Sequence, residues 1–594
     1  MIAWFYVILG IGVALRLPAL FRPLWSDDEA IYAVTADALQ RGALLYRDVV
    51  DHKPPLVYQV YRAGFAAIGP YDMRGPHLLV IGAVVLTAVL LFAIARVEEG
   101  SEATRSGLAA AGLFLVFSTT WHDYDALAAN CELFLLAPQS LAAWLLVRTL
   151  RRKDRVGRRA SEPPHPDRLL HADVEERGTE VSEGPPLRAR EGERGTEVSE
   201  SPLLHVPVEE RVRVRRSDHP RAPRLVATHV VVGALVGISA LFKYQGITFL
   251  GASIALLLWW VALGHMSRSR AGLAAACQLA GALLPPALYL LACRRAGNLD
   301  AALFWFRFNF SYVQAGLGGA AALARGLRRT ALIGGVALVP YALGLFAAVA
   351  TASRAWPVVR ERWRRSPARD GQAPPLSAML GLFWLATSAI AVAAGGRFFG
   401  HYFHLILAPL CLLAAPAFGA LWARRGRYRA TLLVLCALPA LFFFGLATAG
   451  RSLAAALDER EPPYQQVAAR IVARTSPDDR IFVWGNSPQL YYVARRAMGA
   501  RFSFCNYVTG ESPGTPTETG AWNSDANQLP AAWDMLLDDL HRRRPRLFVD
   551  AAAAGWDGYG KYPLARYPRL RDYVAQNYRA VEAPAGVVLY ERTR

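Results

Sequence analysis

Residues 226–263 read VATHVVVGALVGISALFKYQGITFLGASIALLLWWVAL, and this stretch decides the class of fold. It consists of two apolar runs, 226–242 and 244–263, with Lys243 between them. A transmembrane helix needs about 20 mostly apolar residues to cross roughly 30 Å of hydrocarbon. Both runs approach or reach that length. The stretch therefore predicts two membrane-spanning helices joined by a short break at Lys243.

Similar apolar runs occur along most of the chain. The protein has 594 residues, of which 54% are hydrophobic and only 19% are charged, and its mean hydropathy is +0.21. Soluble domains carry roughly a quarter charged residues, so this composition excludes most soluble classes. About eleven runs are long enough to span a bilayer, which predicts an α-helical polytopic membrane protein. The runs are 1–20, 76–96, 106–121, 131–149, 226–242, 244–263, 272–293, 330–351, 376–394, 401–421 and 430–448.

Arginine clusters predict which ends of these helices face the cytoplasm. Of the 66 basic residues, 62 are Arg and 4 are Lys, against 47 acids. Short cytoplasmic loops carry an excess of Lys and Arg. The strongest clusters beside spans lie at 148–153, 268–270, 354–369 and 424–429. These clusters place the N-terminus inside and, after eleven spans, the C-terminus outside. We expect a multi-pass protein of the cytoplasmic (inner) membrane.

The membrane region is divided by a polar insert. Residues 1–150 carry the first spans and a long external loop at 21–75, and residues 225–450 carry the remaining spans. Residues 151–224 hold 17 basic and 15 acidic residues and a duplicated ERGTEVSE motif. So few apolar residues cannot support a core. We therefore predict a disordered cytoplasmic insert that is dispensable for chemistry.

Residues 451–594 predict a separate external α/β domain. Helical patterns such as PQLYYVARRAM alternate there with three strand patterns, RIFVWG, RPRLFVDA and GVVLYER. The segment is nearly balanced in charge, with 19 basic and 16 acidic residues. The basic charge of the whole chain lies mainly in loops that flank spans, so the sequence does not indicate a nucleic-acid partner.

Three consecutive acids follow the first span. They are Asp27, Asp28 and Glu29, and ionisable residues beside the membrane are functional candidates by default. In one interpretation Ser26 and Asp27 cap a helix that starts near Asp28, where acids are favoured at the positive end. Capping accounts for one or two of the acids, which leaves one as a candidate catalytic carboxylate.

Further candidates lie in the external loops and at the ends of spans. His52 and Lys53 belong to the DHKPPL segment, Glu132 opens an apolar span, and Lys243 lies between two runs. A lysine at such a position can extend its charge to the membrane surface. Alternatively, its ammonium group can bind phosphate. Acids at 123 and 125 face the same side, and a solvated loop explains them adequately.

The GRFFGHYFH segment adds Arg397, His401 and Tyr402 to the same outer face. His401 and His404 lie one helical turn apart, a spacing that can share a metal ion but that is weak evidence for one. The sequence requires no cofactor and leaves a divalent metal open. Among the aromatic residues nearby, Trp25, Tyr32, Tyr58 and Tyr61 fit the interfacial aromatic belt better than a role in sugar stacking.

The order of these motifs resembles the GT-C membrane glycosyltransferases. Within them it is most similar to family 39, the bacterial group of protein O-mannosyltransferases and aminoarabinose transferases. The matching stretches cover most of the membrane region, and RIFVWGNSPQLYYVARR resembles the external C-terminal part of many members. The membrane stretches are DDEAIYAVTADALQRG, DHKPPLVYQV, ANCELFLL, LFKYQG and GRFFGHYFHLILAP. The insert at 151–224 departs from the family pattern.

The resemblance implies sugar transfer from a polyprenyl-phosphate-linked donor to a hydroxyl acceptor on the outer face of the membrane, with inversion at the anomeric carbon. The acidic motif of the family falls on Asp28 and Glu29, and Asp28 would be the catalytic carboxylate. A carboxylate near an acceptor hydroxyl can act as general base. Positive groups stabilise a phosphate leaving group, a role open to Lys53, Lys243 and Arg397.

Two other classes of function compete with this interpretation. A polytopic transporter or lipid flippase also needs buried charge and many spans, but transporters usually show internal repeats with broken helices. No repeat is evident among these spans, and the acids gather in external loops. A non-catalytic assembly factor that displays residues 451–594 is the third class. Lipids, glycans and proteins all present hydroxyl groups that could accept the sugar.

Overall fold

The computed structural model describes residues 2–97, 101–120, 126–161, 222–363, 373–424, 426–450, 462–513 and 524–593. The predicted acids at 123 and 125 and most of the predicted insert at 151–224 lie outside these ranges. The membrane part consists of helices α1 Ile2–Arg16, α2 Asp27–Gln40, α3 Leu56–Ile68, α4 Arg74–Ala95, α5 Ser101–Phe117, α6 Cys131–Ser161, α7 Ala222–Phe242, α8 Phe249–Ala262, α9 Arg268–Ala296, α10 Leu299–Gln314, α11 Gly319–Val336, α12 Leu338–Trp363, α13 Leu376–Ala393, α14 His404–Ala423 and α15 Arg427–Thr448.

The predicted membrane architecture is confirmed. Within the described ranges, ten helical segments are long and apolar enough to cross a membrane. The remaining predicted run, 106–121, corresponds to α5, which has 17 residues and packs against α4 and α14. The predicted run 330–351 starts too early, because the helix is interrupted at Ala337, between the end of α11 and the start of α12. The protein is therefore a multi-pass membrane protein.

The segment 294–329, which lies between the predicted runs 272–293 and 330–351, is largely helical. Helices α10 and α11 occupy it and are joined by a short turn. Six arginines kept this segment from resembling a span, although both helices have the length of ordinary helices. Helix α10 lines the cavity described below, so this difference from the prediction affects the site directly.

Glycines allow the closest packing between spans. Helices α7 and α9 cross so tightly that a Cβ on Gly233 would lie 2.0 Å from the carbonyl oxygen of Gln278. A Cβ on Gly281 would lie 2.1 Å from the carbonyl oxygen of Val230. Inside a bilayer, helices associate through such close van der Waals contacts, because lipid is as apolar as the side chains. Helix α15 shows the opposite surface, with Leu438 and Leu441 exposed where lipid would cover them.

The C-terminal domain contains a mixed sheet, as the alternating patterns predicted. Its strand order is β2-β1-β3-β5-β4, with β1 parallel to β2 and β3 and with β5 antiparallel to β3 and β4. The sequence predicted β1, β3 and β5 but not β2 or β4. The elements are α16 Tyr464–Ala473, β1 Arg480–Trp484, α17 Gln489–Ala494, β2 Ala497–Met498, α18 Asn506–Thr509, α19 Ala532–Arg543, β3 Leu547–Asp550, α20 Pro568–Asn577, β4 Tyr578–Glu582 and β5 Val588–Arg592.

This domain packs directly on the first loop of the membrane region. The amide of Val50 donates a 2.9 Å hydrogen bond to the carbonyl of Arg501. The hydroxyl of Tyr492 donates to the carbonyl of Tyr71 at 2.8 Å. The loop at 21–75 and the domain therefore lie on the same side of the helical bundle.

Candidate active site

A cavity of about 1140 Å³ lies where the first loop, the helical bundle and the C-terminal domain meet. Its lining combines an apolar wall from α9, α10 and α13 with a polar end from the loops. Eight of the ten residues predicted for the site line this cavity, and Glu29 and Glu132 do not. The eight are Asp27, Asp28, His52, Lys53, Lys243, Arg397, His401 and Tyr402.

Asp28 and Lys53 form an ion pair at the polar end of the cavity. Asp28 lies in the first turn of α2, and Lys53 Nζ is 2.7 Å from its Oδ1. The Tyr32 hydroxyl donates to Asp28 Oδ2 at 3.2 Å, and Lys53 Nζ lies 4.8 Å from the centre of the Tyr32 ring. Burial alone would raise the pKa of Asp28, but the Lys53 ammonium holds that pKa below its ordinary value. Asp28 is therefore an ionised carboxylate beside the cavity.

Its two acidic neighbours face elsewhere, because successive residues of a helix point about 100° apart. Asp27 is exposed at the cavity edge and accepts a hydrogen bond from Gln489. Glu29 is fully buried and accepts hydrogen bonds from the amides of Trp25 at 2.6 Å and Ala129 at 2.7 Å. These contacts tie Glu29 to the loop that precedes α6.

The cap predicted for this helix is present. The Ser26 side chain accepts a hydrogen bond from the amide of Glu29, and the helix begins at Asp27. The cap satisfies a backbone donor that the first turn leaves unpaired. Capping therefore accounts for Ser26, whereas Asp28 uses its side chain for Lys53.

Asp51 belongs to the same cluster, although the sequence did not single it out. Its carboxylate is fully buried and accepts hydrogen bonds from the Tyr58 hydroxyl at 2.8 Å and the His52 amide at 2.7 Å. Lys53 Nζ is 3.9 Å away. Burial opposes ionisation, yet Lys53 and His52 hold the pKa of Asp51 well below its ordinary value. The adjacent Asp, His and Lys in DHKPPL were the available signal for this arrangement.

The aromatic residues of the first loop are not an interfacial belt. Tyr32, Tyr58 and Tyr61 are each 1% exposed or less, and their hydroxyls bond Asp28, Asp51 and the carbonyl of Ala129. The belt interpretation is therefore wrong for these tyrosines. The ring of Tyr32 packs edge to face against the rings of Tyr58 and Tyr61.

A second ion pair joins Glu132 to Lys243. Glu132 lies in the first turn of α6 and is 1% exposed, and Lys243 in the break between α7 and α8 donates to it. Lys243 Nζ also lies 3.9 Å from the centre of the Tyr402 ring, and His401 Nε2 is 3.8 Å from Glu132 Oε1. Glu132 thus supports Lys243 from behind the cavity wall.

Tyr32 connects the two ion pairs. Besides its contact with Asp28, its hydroxyl lies 3.4 Å from the Sγ of Cys131, the residue that precedes Glu132. The first external loop and the start of α6 are therefore joined by side chains at this point. No spacing in the sequence indicates this contact, because 99 residues separate the two positions.

Arg397 is 1% exposed and has neutral hydrogen-bond partners. Its Nη2 donates to the carbonyl of Tyr312 and to the Ser512 hydroxyl, each at 2.9 Å, and its Nη1 donates to the carbonyl of Pro513. The guanidinium carbon lies 3.9 Å from the centre of the Tyr312 ring. Across the described ranges, no carboxylate lies within ion-pair distance of it. Among the residues that the structure describes, none therefore compensates its charge at the cavity wall.

His52 extends the polar end towards the C-terminal domain. Its Nδ1 is 3.1 Å from the Tyr507 hydroxyl, and its ring centroid is 4.4 Å from that of Tyr312. Asn309 donates to its carbonyl at 2.6 Å. The sequence did not predict these three partners of His52, namely Tyr312, Asn309 and Tyr507. Helix α10 and the C-terminal domain reach the site only in the folded chain.

His401 and His404 take different partners. His404 Nδ1 lies 3.1 Å from the carbonyl of His401, and its Nε2 lies 3.3 Å from the carbonyl of Ser118. Over the part of the chain that the structure describes, no group of three His, Cys, Asp or Glu residues is placed to hold a metal ion. These residues do not fit a metal beside Asp28, whose carboxylate bonds Lys53 instead.

Solved structures share this architecture. ArnT from Cupriavidus metallidurans bound to undecaprenyl phosphate is 13% identical, with a TM-score of 0.54 over 99% of this chain and 98% of that chain. ArnT from the same organism in the apo state is 14% identical, with a TM-score of 0.53 over 99% and 97%. The archaeal oligosaccharyltransferase AglB from Archaeoglobus fulgidus, in complex with an inhibitory peptide and a dolichol-phosphate, is 13% identical, with a TM-score of 0.45 over 100% and 74%.

These comparisons show the fold. No protein-family model matches the chain, and no curated protein does. The likeness to ArnT extends over nearly the full length of both chains and confirms the predicted GT-C fold. At this level of identity it does not extend to the reaction, which has to be argued from the cavity itself.

Proposed function

We propose that this protein is a GT-C glycosyltransferase of the family 39 kind. It transfers a sugar from a polyprenyl-phosphate-linked donor to a hydroxyl acceptor at the outer face of the cytoplasmic membrane, with the C-terminal domain outside. The observation that carries the proposal is a single cavity that combines an ionised carboxylate and three cationic side chains with an apolar wall. ArnT, which has the same fold, is described with undecaprenyl phosphate bound, and this supports the class of donor.

The apolar wall suits a polyprenyl chain. It includes Leu283 and Leu290 of α9, Phe306 of α10 and Ile390 of α13. Leu283, Phe306 and Ile390 are also exposed, so the cavity opens laterally at the height of the spans. A polyprenyl chain could enter from the membrane and keep its hydrocarbon out of water, because burial of each methylene contributes about 0.8 kcal/mol.

The cationic side chains suit the phosphate of such a donor. The charge of Arg397 has no carboxylate partner among the described residues, and its Nε has no hydrogen-bond partner. Lys53 and Lys243 also line the cavity, where Lys53 is shared between Asp28 and Asp51 and Lys243 is paired with Glu132. Preorganised positive charge is worth most where negative charge develops, and here that charge develops on the departing phosphate.

Asp28 is the group placed to act as general base. Its carboxylate takes the proton of the acceptor hydroxyl while that oxygen forms a bond to the anomeric carbon of the sugar. The bond from this carbon to the phosphate oxygen breaks on the opposite face, and the polyprenyl phosphate leaves with the electron pair. A single displacement of this kind inverts the anomeric configuration. A donor phosphate that engages Lys53 would also free Asp28 from part of its ion pair.

The proposal is tested with the purified full chain in detergent. Labelled polyprenyl-phosphate sugar is incubated with cell-envelope lipids and glycans as acceptors, and transfer is followed by release of polyprenyl phosphate. We expect Asp28→Asn to lower the rate by about 10²- to 10⁴-fold, because it removes the base while conserving shape. Asp27→Asn is the matched control, since Asp27 is one residue away and bonds Gln489, and its rate should stay within a few-fold of the unmodified protein.

Two results would contradict the proposal in different ways. An undiminished rate for a folded Asp28→Asn protein would refute the assignment of the base. A donor whose glycosidic bond stays intact with every acceptor, but which moves across reconstituted vesicles, would indicate a transporter or flippase.

A further inference from the structure

A second cavity lies at the other end of α2. It has a volume of about 320 Å³ and is bounded by the last turns of α2, the start of β1, strand β2 and the end of α19. Pockets that bind small molecules start at roughly this size. Asp28 and Arg41 are 13 residues apart on α2, which corresponds to about 20 Å along a helix axis. The second cavity is thus separate from the candidate active site.

Arginines from three elements of the C-terminal domain converge on this cavity. Arg480 donates to the carbonyl of Met498 at 3.0 Å, and Arg543 donates to the carbonyl of Asp48 at 2.8 Å. Arg496 donates to Thr475 and to backbone carbonyls. These hydrogen bonds satisfy donors but do not offset the positive charges, because their acceptors are neutral. For Arg480 and Arg496, no carboxylate of the described residues lies within ion-pair distance.

The acids that line the cavity are already engaged. Asp37 accepts from Arg41 at 2.9 Å. Asp48 accepts two hydrogen bonds from Arg47, which does not line the cavity, at 3.0 and 2.9 Å. Each carboxylate therefore has its closest ion pair with an arginine outside the C-terminal domain, although the charge of Arg543 also acts on Asp48.

Two further acids lie just behind the cavity, and the carboxylate of the exposed Asp538 is 3.8 Å from both Arg501 and Arg542. Asp539 is fully buried and bonds Arg501 at 2.8 Å and Arg542 at 2.6 Å, whereas Arg543 is 3.9 Å away. Burial lowers the pKa of Arg543, Asp539 opposes this, and the charges of Arg480 and Arg542 lower the pKa further. An anion in the cavity would relieve this repulsion between guanidinium groups.

We propose that this arginine-lined cavity binds a phosphate-bearing ligand. Guanidinium groups bind phosphate oxygens with paired, charge-assisted hydrogen bonds, and Arg480, Arg542 and Arg543 present such groups at its wall. The abundance of Arg in the chain does not by itself produce this arrangement, since the three side chains come from a strand and a helix end and their charges repel one another. The ligand is either a free phosphorylated molecule or the headgroup of an anionic lipid.

The test measures binding to the full chain in detergent, without any glycosyl transfer, so it does not depend on the proposed function. The probes are labelled inorganic pyrophosphate and dioctanoyl phosphatidic acid, which represent the two sources. We expect Arg480→Gln/Arg543→Gln to weaken the binding of at least one probe by about ten-fold or more. Arg569→Gln/Arg579→Gln is the matched control, because it removes the same charge from exposed arginines outside both cavities.

Equal affinity in the cavity variant and the control, for both probes, would overturn the proposal. Weakening for phosphatidic acid alone would identify a lipid headgroup as the source, and weakening for pyrophosphate would identify a free phosphorylated molecule. Arg543 also bonds the first loop, so its variant could fail to fold. In that case the exposed Arg480→Gln alone decides, with a several-fold loss expected and an unchanged affinity contradicting the proposal.

Discussion

The two ion pairs at the polar end of the cavity each join a carboxylate to a lysine ammonium, but they differ in exposure to solvent. In the first pair, the side chains of Asp28 and Lys53 are 23% and 12% exposed. In the second, those of Glu132 and Lys243 are 1% and 8% exposed. A partly exposed pair can exchange a partner for a ligand, whereas a carboxylate sealed in protein must keep its partner. The comparison indicates that Asp28 and Lys53 form the reacting pair at the cavity surface (the front pair), whereas Glu132 and Lys243 form a supporting pair deeper in the protein (the back pair).

The elements that carry each pair explain the difference. Asp28 lies in the first turn of α2, a helix outside the spans that lies against the C-terminal domain. Glu132 lies in the first turn of α6, a membrane span, and Lys243 occupies the break between two further spans. A charge at the end of a span has few neighbours other than protein and lipid, so an uncompensated charge there is costly.

The largest expected effect is a loss of protein stability that is greater when the second ion pair is broken than when the first is broken. Glu132→Gln should lower the free energy of unfolding by about 3–5 kcal/mol, because it leaves the Lys243 ammonium buried without its carboxylate. Asp28→Asn should cost clearly less, since Lys53 keeps Asp51 at 3.9 Å and has access to the cavity. Thermal unfolding in detergent measures both.

A double variant controls this comparison. Glu132→Gln/Lys243→Met removes both charges, and most of the lost stability should return, because replacing a buried pair by uncharged groups is often neutral. If Glu132→Gln proves no more destabilising than Asp28→Asn, the second pair is not more dependent on its buried partner than the first, and the comparison fails.

The second largest effect concerns the contributions of Lys53 and Lys243 to the binding of polyprenyl phosphate. Lys53→Met should weaken binding of undecaprenyl phosphate by about 10- to 100-fold, the value of a charge-assisted hydrogen bond. Lys243→Met should weaken it several-fold less, because Glu132 already holds that ammonium. Equilibrium binding with labelled lipid gives both values, and a larger loss for Lys243→Met would reverse the assignment of front and back.

The pH dependence of transfer tests the coupling within the front pair. The pKa of Asp28 lies below its ordinary value and the pKa of Lys53 lies above its own. The pair should therefore stay ionised from below about pH 4 to above about pH 10, so that neither group sets a limit near neutrality. In Lys53→Met the largest opposing charge on Asp28 is gone, and burial acts against only the smaller effects of His401 and Lys243. The pKa of Asp28 therefore rises, and the acid limb of the residual rate should move towards neutral pH.

This shift is measured as kcat/KM against pH for the two proteins. Lys243→Met serves as the control, and its acid limb should move less because Lys243 does not touch Asp28. An acid limb that stays in place in Lys53→Met would show that Lys53 does not set the ionisation of Asp28.

The smallest expected effect concerns the residue that joins the pairs. Tyr32→Phe removes a hydroxyl that contacts Asp28 and Cys131, and it should cost about 1 kcal/mol of stability and less than ten-fold in rate. Tyr61→Phe removes a buried hydroxyl that bonds only a carbonyl among the contacts described, and it should leave the rate unchanged. Equal rates for the two variants would show that the link between the pairs does not affect transfer.

Much of the membrane architecture could be predicted from local pattern. Ten of the eleven apolar runs fall mainly on one helix each, and the run 330–351 crosses from α11 into α12. Apolar runs are this informative because the bilayer requires long apolar segments whatever their partners. Helices α10 and α11 were missed because their arginines and mixed faces resemble a loop. The direction of each acid in Asp27-Asp28-Glu29 was equally out of reach, since it depends on where α2 lies against its neighbours.

The sequence by itself determined the class of the molecule, the order of its spans and the short segments in which charge collects. These follow from local composition, since hydrophobic length and charge near the membrane act within a few residues. Only the tertiary structure decided which acid meets which lysine, that Asp51 and Tyr312 join the site, and that arginines of the C-terminal domain gather at a second cavity. The physical reason is range: polar groups pair within about 4 Å, and residues this close in space are up to 495 positions apart in the chain.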